Sequence, residues 1–377
     1  MGVNFSSELG QMPYIPGFPY IWQMIDDNNS QGMAGSTKIY DIRGMSEYSR
    51  LQDYTAYKAT QVGNFSISVE GDFVSCDKSK LPTLKKFTLP LNLNVGYNPK
   101  KVMDTSNGQT SFPPWEKGLK WIEGSADGYQ SLLDIDVITQ CDVLTDIGYT
   151  NHDFYKNPWK FEACKFNGKL YIRKSEGAAE ENLDTFGLKN YHWVKKFEEL
   201  VIDRQLGTKA TYQMLKGQIG SRNVLFSSQV AAVTSEGKHM EIQTCFANKL
   251  TAKLPQAWLQ SHLGNVDILY YGMKDKRGFV TETPTEIVAN KVPGIYVQAF
   301  QANAMIGFLG DVIDWLYTSL PDGDETWTME YNAALREISL NHGGGGEFLP
   351  AWYVKLINGK KEDELAERVE TLDLENS

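Results

Sequence analysis

The stretch Val224-Leu225-Phe226-Ser227-Ser228-Gln229-Val230-Ala231, continued by Met240-Glu241-Ile242-Gln243, carries two short strand patterns. Successive side chains of a strand point to opposite faces, so Gln229 and Ala231 share one face, as do Glu241 and Gln243. The intervening Ser235-Glu236-Gly237-Lys238 has turn composition and predicts a hairpin joining the two runs. On such a hairpin many nucleases mount acid-x-acid on one strand and Glu-x-Lys on the next. The carboxylates hold Mg2+ or Mn2+, and the lysine polarises water or the scissile phosphate. Here the residues read Gln-x-Ala and Glu-x-Gln. Taken alone, Glu241 beside Gln243 reads more simply as the polar face of an ordinary half-exposed strand.

Working outward, strand-like alternation begins at Phe65-Ser66-Ile67-Ser68-Val69 and recurs at Leu170-Tyr171-Ile172. Three segments read as helices. Residues 191–203 place Trp193, Val194, Phe197, Leu200 and Val201 on one stripe; residues 254–263 and 296–320 follow, the last apolar nearly all round and therefore central. After Gly343-Gly344-Gly345-Gly346, a flexible loop by composition, Trp352-Tyr353-Val354 reads as a strand. The mixture predicts an α+β fold without repeats. Residues 1–55, rich in Gly, Pro, Asn, Ser and Tyr, predict an extended N-terminal arm. No linker divides 56–358, which predicts a single domain, and 359–377 form a charged tail expected to be disordered or a loosely held helix.

On the 191–203 helix, Glu198 lies four residues after Val194 and three before Val201, at the edge of the apolar stripe, whereas Glu199 turns away with Lys195 and Lys196. An acid aimed inward needs a partner. Lys195 or Arg204 would supply one without any metal.

With 377 residues, 41% of them hydrophobic, the chain can bury a sizeable core. A net charge of −10 argues against coating nucleic acid by bulk attraction, so any RNA must be held in a local groove. The four cysteines, Cys76, Cys141, Cys164 and Cys245, are too widely spaced for a zinc knuckle or a redox pair and read as reduced thiols. No run of about 18 apolar residues occurs, and the N-terminus lacks a charged flank followed by an apolar run. An intracellular chain is expected, with nucleus and cytoplasm both open. Met1-Gly2-Val3-Asn4-Phe5-Ser6 fits the short, loose pattern for N-myristoylation. Walker, dinucleotide-binding, HExxH and nucleophile-elbow motifs are missing, which argues against those enzyme classes.

From about Phe65 to Leu356 the order of segments resembles the DXO family of RNA 5′-end decapping nucleases. Asn64-Phe65-Ser66-Ile67 with the segment 81–90 is similar to that family's opening. Residues 136–148, followed by Lys165-Phe166-Asn167-Gly168-Lys169-Leu170-Tyr171, look like its first motif and the strands after it. Lys196-Phe197-Glu198 resembles the second motif, residues 220–231 the third, and Glu241-Ile242-Gln243-Thr244 the fourth. Trp258-Leu259-Gln260-Ser261 and Gly272-Met273-Lys274 resemble the fifth and sixth, and Phe348-Leu349-Pro350 to Val354 the close.

The resemblance implies two packed β-sheets flanked by helices, and hydrolysis of incomplete or non-standard caps or 5′ triphosphates with Mg2+ or Mn2+. Carried over residue by residue, Glu198, Glu241 and Gln260 are retained. The first-motif Arg position falls on Cys141, the third-motif acids on Gln229 and Ala231, and the fourth-motif Lys on Gln243. Glu198 and Glu241 would be the metal ligands left. Losing two carboxylates and two cations from one site leads to an expectation of lost or strongly reduced catalysis, with RNA 5′ ends or a protein partner still bound. A nuclear 5′→3′ exoribonuclease is the partner type that the resemblance brings. The alternatives are a working decapping hydrolase or 5′→3′ exonuclease with a rearranged site, and a protein-interaction module with a closed groove.

Overall fold

Three consecutive apolar residues in a strand normally leave one of them facing water, yet Val224, Leu225 and Phe226 are each fully buried. The computed structural model shows why. Val224 and Phe226 enter one hydrophobic cluster and Leu225 another, on opposite faces of a sheet covered on both sides. Leu170, Tyr171 and Ile172 divide in the same way. The described residues are 37–42, 53–75, 81–100, 102, 114–124, 126–152, 158–175, 185–295, 301–343 and 347–359, all within one unit, Gly35–Ser377.

The strands before the first long helix pair are β1 (Thr37–Asp41), β2 (Ala59–Ser68), β3 (Phe73–Ser75), β4 (Thr83–Leu84) and β5 (Leu91–Asn92). Next come β6 (Val137–Gln140), β7 (Trp159–Phe166), β8 (Lys169–Lys174) and β9 (Ile202–Asp203). The middle of the chain gives β10 (Thr208–Ile219), β11 (Arg222–Val230), β12 (Ala232–Val233), β13 (His239–Cys245) and β14 (Ile268–Met273). Then follow β15 (Phe279–Val280), β16 (Thr285–Val288), β17 (Trp327–Asn332) and β18 (Glu337–His342). Four helices matter to the site or core: α1 (Cys141–Thr150), α2 (Thr185–Val201), α3 (Leu250–Leu263) and α4 (Ala302–Ser319).

A ten-stranded sheet runs β1-β18-β17-β7-β8-β6-β11-β10-β2-β3, and a six-stranded sheet runs β16-β14-β13-β12-β4-β9; β5 and β15 form a separate pair. The fold is α+β, with packed sheets and helices as expected. Residues 37–41 of the N-terminal arm supply the edge strand β1; 1–36 and 43–52, including the Gly2 motif, lie outside the described residues, as do Cys76 and 360–377. Among the described residues, no helix is long and apolar enough to cross a membrane.

Helix α4 is buried nearly all round, from Ala302 to Leu316, as its composition predicts. Residues 296–300 of that predicted helix lie outside the described set.

Two local expectations change. Residues 351–359 are helical rather than a strand, because Leu349, Tyr353 and Ile357 recur at the four-residue spacing of a helix face and all three are buried. The adjacent Trp352-Tyr353-Val354 run concealed that period. The expected hairpin also differs. The turn at 235–238 does join antiparallel strands, but these are β12 and β13, in register Ala232↔Met240 and Val233↔His239. Strand β11 belongs to the other sheet, between β6 and β10. The chain therefore steps from one sheet to the other at Ala231, which a pattern of period two cannot reveal.

Candidate functional site

That step places Gln229 at the end of β11 and Ala231 at the crossover, facing Glu241 and Gln243 on β13. Helix α2 lies across them with one long polar face. Its residues Gly187, Asn190, Tyr191, Val194, Lys195 and Glu198 recur at three- and four-residue intervals, as one side of a helix must. Together with Ile242 and Gln260 of α3, these residues enclose a cavity of about 500 Å3. Six of the seven positions singled out in the sequence, Glu198, Gln229, Ala231, Glu241, Gln243 and Gln260, line this one cavity.

The helix is held over the strands by its second stripe. Trp193, Phe197 and Val201 are buried, and the Phe197 ring stacks on Tyr270 at 6.4 Å. Glycine makes the approach possible: a Cβ on Gly272 would lie 2.6 Å from the Phe197 ring. The backbone register Gln243↔Tyr271 and Thr244↔Gly272 then fixes the height of β13 against α2.

Glu198 is 8% exposed, and both its oxygens are engaged by cations. Lys195 Nζ lies 3.4 Å from Oε1, and Arg204 Nη2 lies 3.1 Å from Oε2. Glu241 has a different neighbour. Gln243 Nε2 donates to its Oε1 at 2.8 Å. Burial pushes the Glu241 carboxyl up to about 7, with Glu198 adding to the rise and the Gln243 hydrogen bond and Lys195 opposing it. The Gln229 and Gln260 side chains make no hydrogen bond among the described residues, and both residues line the cavity.

Cys141 does not line the cavity. It opens α1, is buried, and donates its thiol to the Gln260 carbonyl at 3.5 Å, one layer behind the wall. Burial drives its thiol up to about 12, partly offset by a hydrogen bond with Ser228, so it supplies neither positive charge nor a ready thiolate. Asp142 and Asp146, on the same helix, pair with Lys174 at 3.0 and 3.2 Å.

Asn190 escaped the sequence reading, and Lys274 entered it only as the end of the block Gly272-Met273-Lys274, with no role attached. Lys274 is buried beside the cavity wall, donating to Asn190 Oδ1 at 2.7 Å and Thr244 Oγ1 at 2.9 Å, and burial lowers its ammonium to about 8. Counting back from Glu198 in helical steps would have found Asn190; Lys274 left no comparable signal.

The donor set suits a hard divalent cation poorly. Such ions take several oxygens, with carboxylate charge setting the affinity. Among the described residues, no group of three or more His, Cys, Asp and Glu side chains is placed to share one ion. The cavity offers two carboxyls, of which one is neutralised by Lys195 and Arg204 and the other is raised towards neutrality.

Comparison with known proteins agrees with the order of segments. The chain is 22% identical over 308 residues to the decapping nuclease RAI1 of Kluyveromyces lactis, which covers 69% of this chain and 80% of the relative. A crystal structure of Scheffersomyces stipitis Rai1 superposes with a TM-score of 0.67 at 15% identity, covering 84% of this chain and 97% of that one. Candida albicans Rai1 in complex with pU5-Mn2+ gives 0.65 at 13% identity, covering 84% and 98%. These superpositions establish a shared fold. The RAI1-like PD-(D/E)XK nuclease model matches residues 57–354, and the chain therefore belongs to that family, which includes the RAI1 and DXO decapping nucleases.

Proposed function

We propose that this chain binds the 5′ end of RNA in the cavity between α2, β11 and β13, and that its capacity for metal-dependent hydrolysis is lost or strongly reduced. The carrying observation is the constellation at β13: the (D/E)-x-K position reads Glu241-x-Gln243, with the amide hydrogen-bonded to the acid. An amide carries no charge to stabilise a developing phosphoryl oxyanion, a contribution commonly worth a factor of about 10² or more in rate. Gln229 and Ala231 likewise supply no negative ligands across the cavity. Binding asks less of the site. A 500 Å3 cavity walled by Tyr191, Asn190, Lys195 and three glutamines offers a basic group, hydrogen bonds and an aromatic side chain to a nucleotide.

Support from the family is by kinship: the Candida albicans relative holds pU5 with Mn2+ on the same fold. The test is a pair of measurements on the purified chain with Mn2+, using 5′-triphosphate and capped RNA. The expected result is saturable RNA binding without released product. Product formed by the wild type and lost in Glu241→Ala would overturn the reading.

A further inference from the structure

Replacing charged groups by amides changes what the cavity is complementary to. Around Glu241 stand four carboxamides, Asn190, Gln229, Gln243 and Gln260, of which Gln229 and Gln243 occupy positions where the family resemblance implies an acid and a lysine. Glu198 is held by Lys195 and Arg204, whereas Glu241 has no cation at ion-pair distance among the described residues. Amide and acid edges exchange several directed hydrogen bonds with flat polar rings, and they do so most strongly where water is excluded.

The order of groups on β13 narrows the ring. Gln243 Nε2 carries two hydrogens. One is donated to Glu241 Oε1 at 2.8 Å and the other remains for a ligand. Oε1 keeps a second lone pair, and Oε2 accepts no hydrogen bond among the described residues. Read along the strand, the edge presents donor, acceptor, acceptor. Its complement is acceptor, donor, donor. Among the common nucleobases guanine has that sequence on its Watson–Crick edge: O6, N1–H and N2–H. Adenine offers a donor and an acceptor, cytosine a donor and two acceptors, and uracil places an acceptor where the second donor is needed.

We propose that the Glu241–Gln243 edge receives the Watson–Crick edge of a guanine base, with O6 accepting from Gln243 Nε2 and N1–H and N2–H donating to the Glu241 carboxylate. Tyr191 and Val194 of α2 supply a flanking wall. The inference rests on the reading of the cavity as a site for RNA 5′ ends, and it names the first base of such an end. It also gives the substitution at Gln243 a positive use, since an ammonium there would hold the Glu241 carboxylate in an ion pair and compete with guanine for it.

The experiment is calorimetric titration of the full chain with guanosine, inosine and adenosine, followed by short 5′-phosphorylated oligoribonucleotides beginning with G or A. Guanosine is expected to bind about tenfold or more tighter than adenosine, the discrimination typical of a bidentate base contact. Inosine, which lacks the N2 amine, should fall between them. Glu241→Gln, close in size to the native residue and checked by its melting temperature, should abolish the guanosine preference. Because the inosine comparison uses the native chain, it stands even if that variant folds poorly. Equal binding of guanosine and adenosine, or of neither, overturns the base assignment. If neither nucleoside binds while both oligoribonucleotides bind alike, the base assignment falls and the RNA-end reading survives. If guanosine alone binds and no oligoribonucleotide does, the RNA-end reading falls and the guanine site stands.

Discussion

Gln243 Nε2 donates to Glu241 Oε1 at 2.8 Å, so two side chains two residues apart on β13 form a neutral-to-acidic pair where the family signature calls for a lysine ammonium beside a carboxylate. An ammonium at that position would make a charge-assisted bond, roughly twice as strong as one from an amide. Gln243→Lys is therefore expected to draw the Glu241 carboxyl down from about 7 towards the ordinary carboxylate range. Carbon-detected NMR titration of labelled glutamate side chains reads this directly. A Glu241 titration unmoved by the substitution would show that the two side chains do not meet in solution.

The same carboxyl makes stability depend on pH. Burial raises Glu241 above its ordinary value of 4.5 to about 7, so the folded chain holds its proton where the unfolded chain has released it. The stabilising difference is whole below the unfolded value and is lost as pH rises through that window, which disfavours the fold at alkaline pH. Glu241→Gln removes the ionisation. Relative to the native chain it should be near neutral at about pH 4 and more stable by up to about 3 kcal/mol at about pH 8. Chemical denaturation of both proteins across that range checks it, and parallel curves would refute the burial of this carboxyl.

How far the chain discloses its structure varies with the kind of signal. Helical spacing alone places Glu198 and names Lys195 as its partner, because a helix fixes the neighbours of each residue locally; Arg204 lies past β9, and only its closeness in sequence signals it. Gln229 and Ala231 were correctly set against Glu241 and Gln243, but on the wrong scaffold. Alternation reports which face a residue occupies and is blind to a strand leaving one sheet for another, as happens at Ala231. Cys141 shows a different limit. It lies beside the cavity through Gln260's carbonyl, yet no sequence pattern tells a side chain that lines a wall from one that stands behind it. Lys274 was read only as part of a block, since its polar partners Asn190 and Thr244 come from two other elements.

Restoring carboxylates should restore a metal site at the expense of the unliganded fold. Ala231 is 5% exposed in a cluster with Ala232 and Ile242, so the double variant Gln229→Glu, Ala231→Asp buries new charge beside Glu241 and Glu198. Without metal it is expected to melt well below the native chain, because an unpaired buried charge costs several kcal/mol. Mn2+ should recover part of that loss, about 2.7 kcal/mol at a hundredfold excess over the dissociation constant. The native chain should show no comparable Mn2+-dependent rise. A large rise in the native chain would mean that Glu198 and Glu241 suffice as ligands.

The position of α2 over β13 depends on a missing side chain. Phe197 occupies the space above Gly272, where a Cβ would fall 2.6 Å from the ring carbons Cε2 and Cζ. Phe197 is fully buried and stacks on Tyr270, so the ring has little room to move and the helix must shift instead. Gly272→Ala is expected to destabilise the fold by about 1–3 kcal/mol, as overpacking of a filled core does. Because Glu198 follows Phe197 directly, a shift of α2 also alters one wall of the cavity, and RNA affinity should fall even at temperatures where the variant remains folded. Phe197→Leu on the Gly272→Ala background removes ring atoms from the clash and should recover part of both losses. Additive losses in that double variant would show that Phe197 and residue 272 do not share the contact, and that something other than this glycine sets the height of the helix.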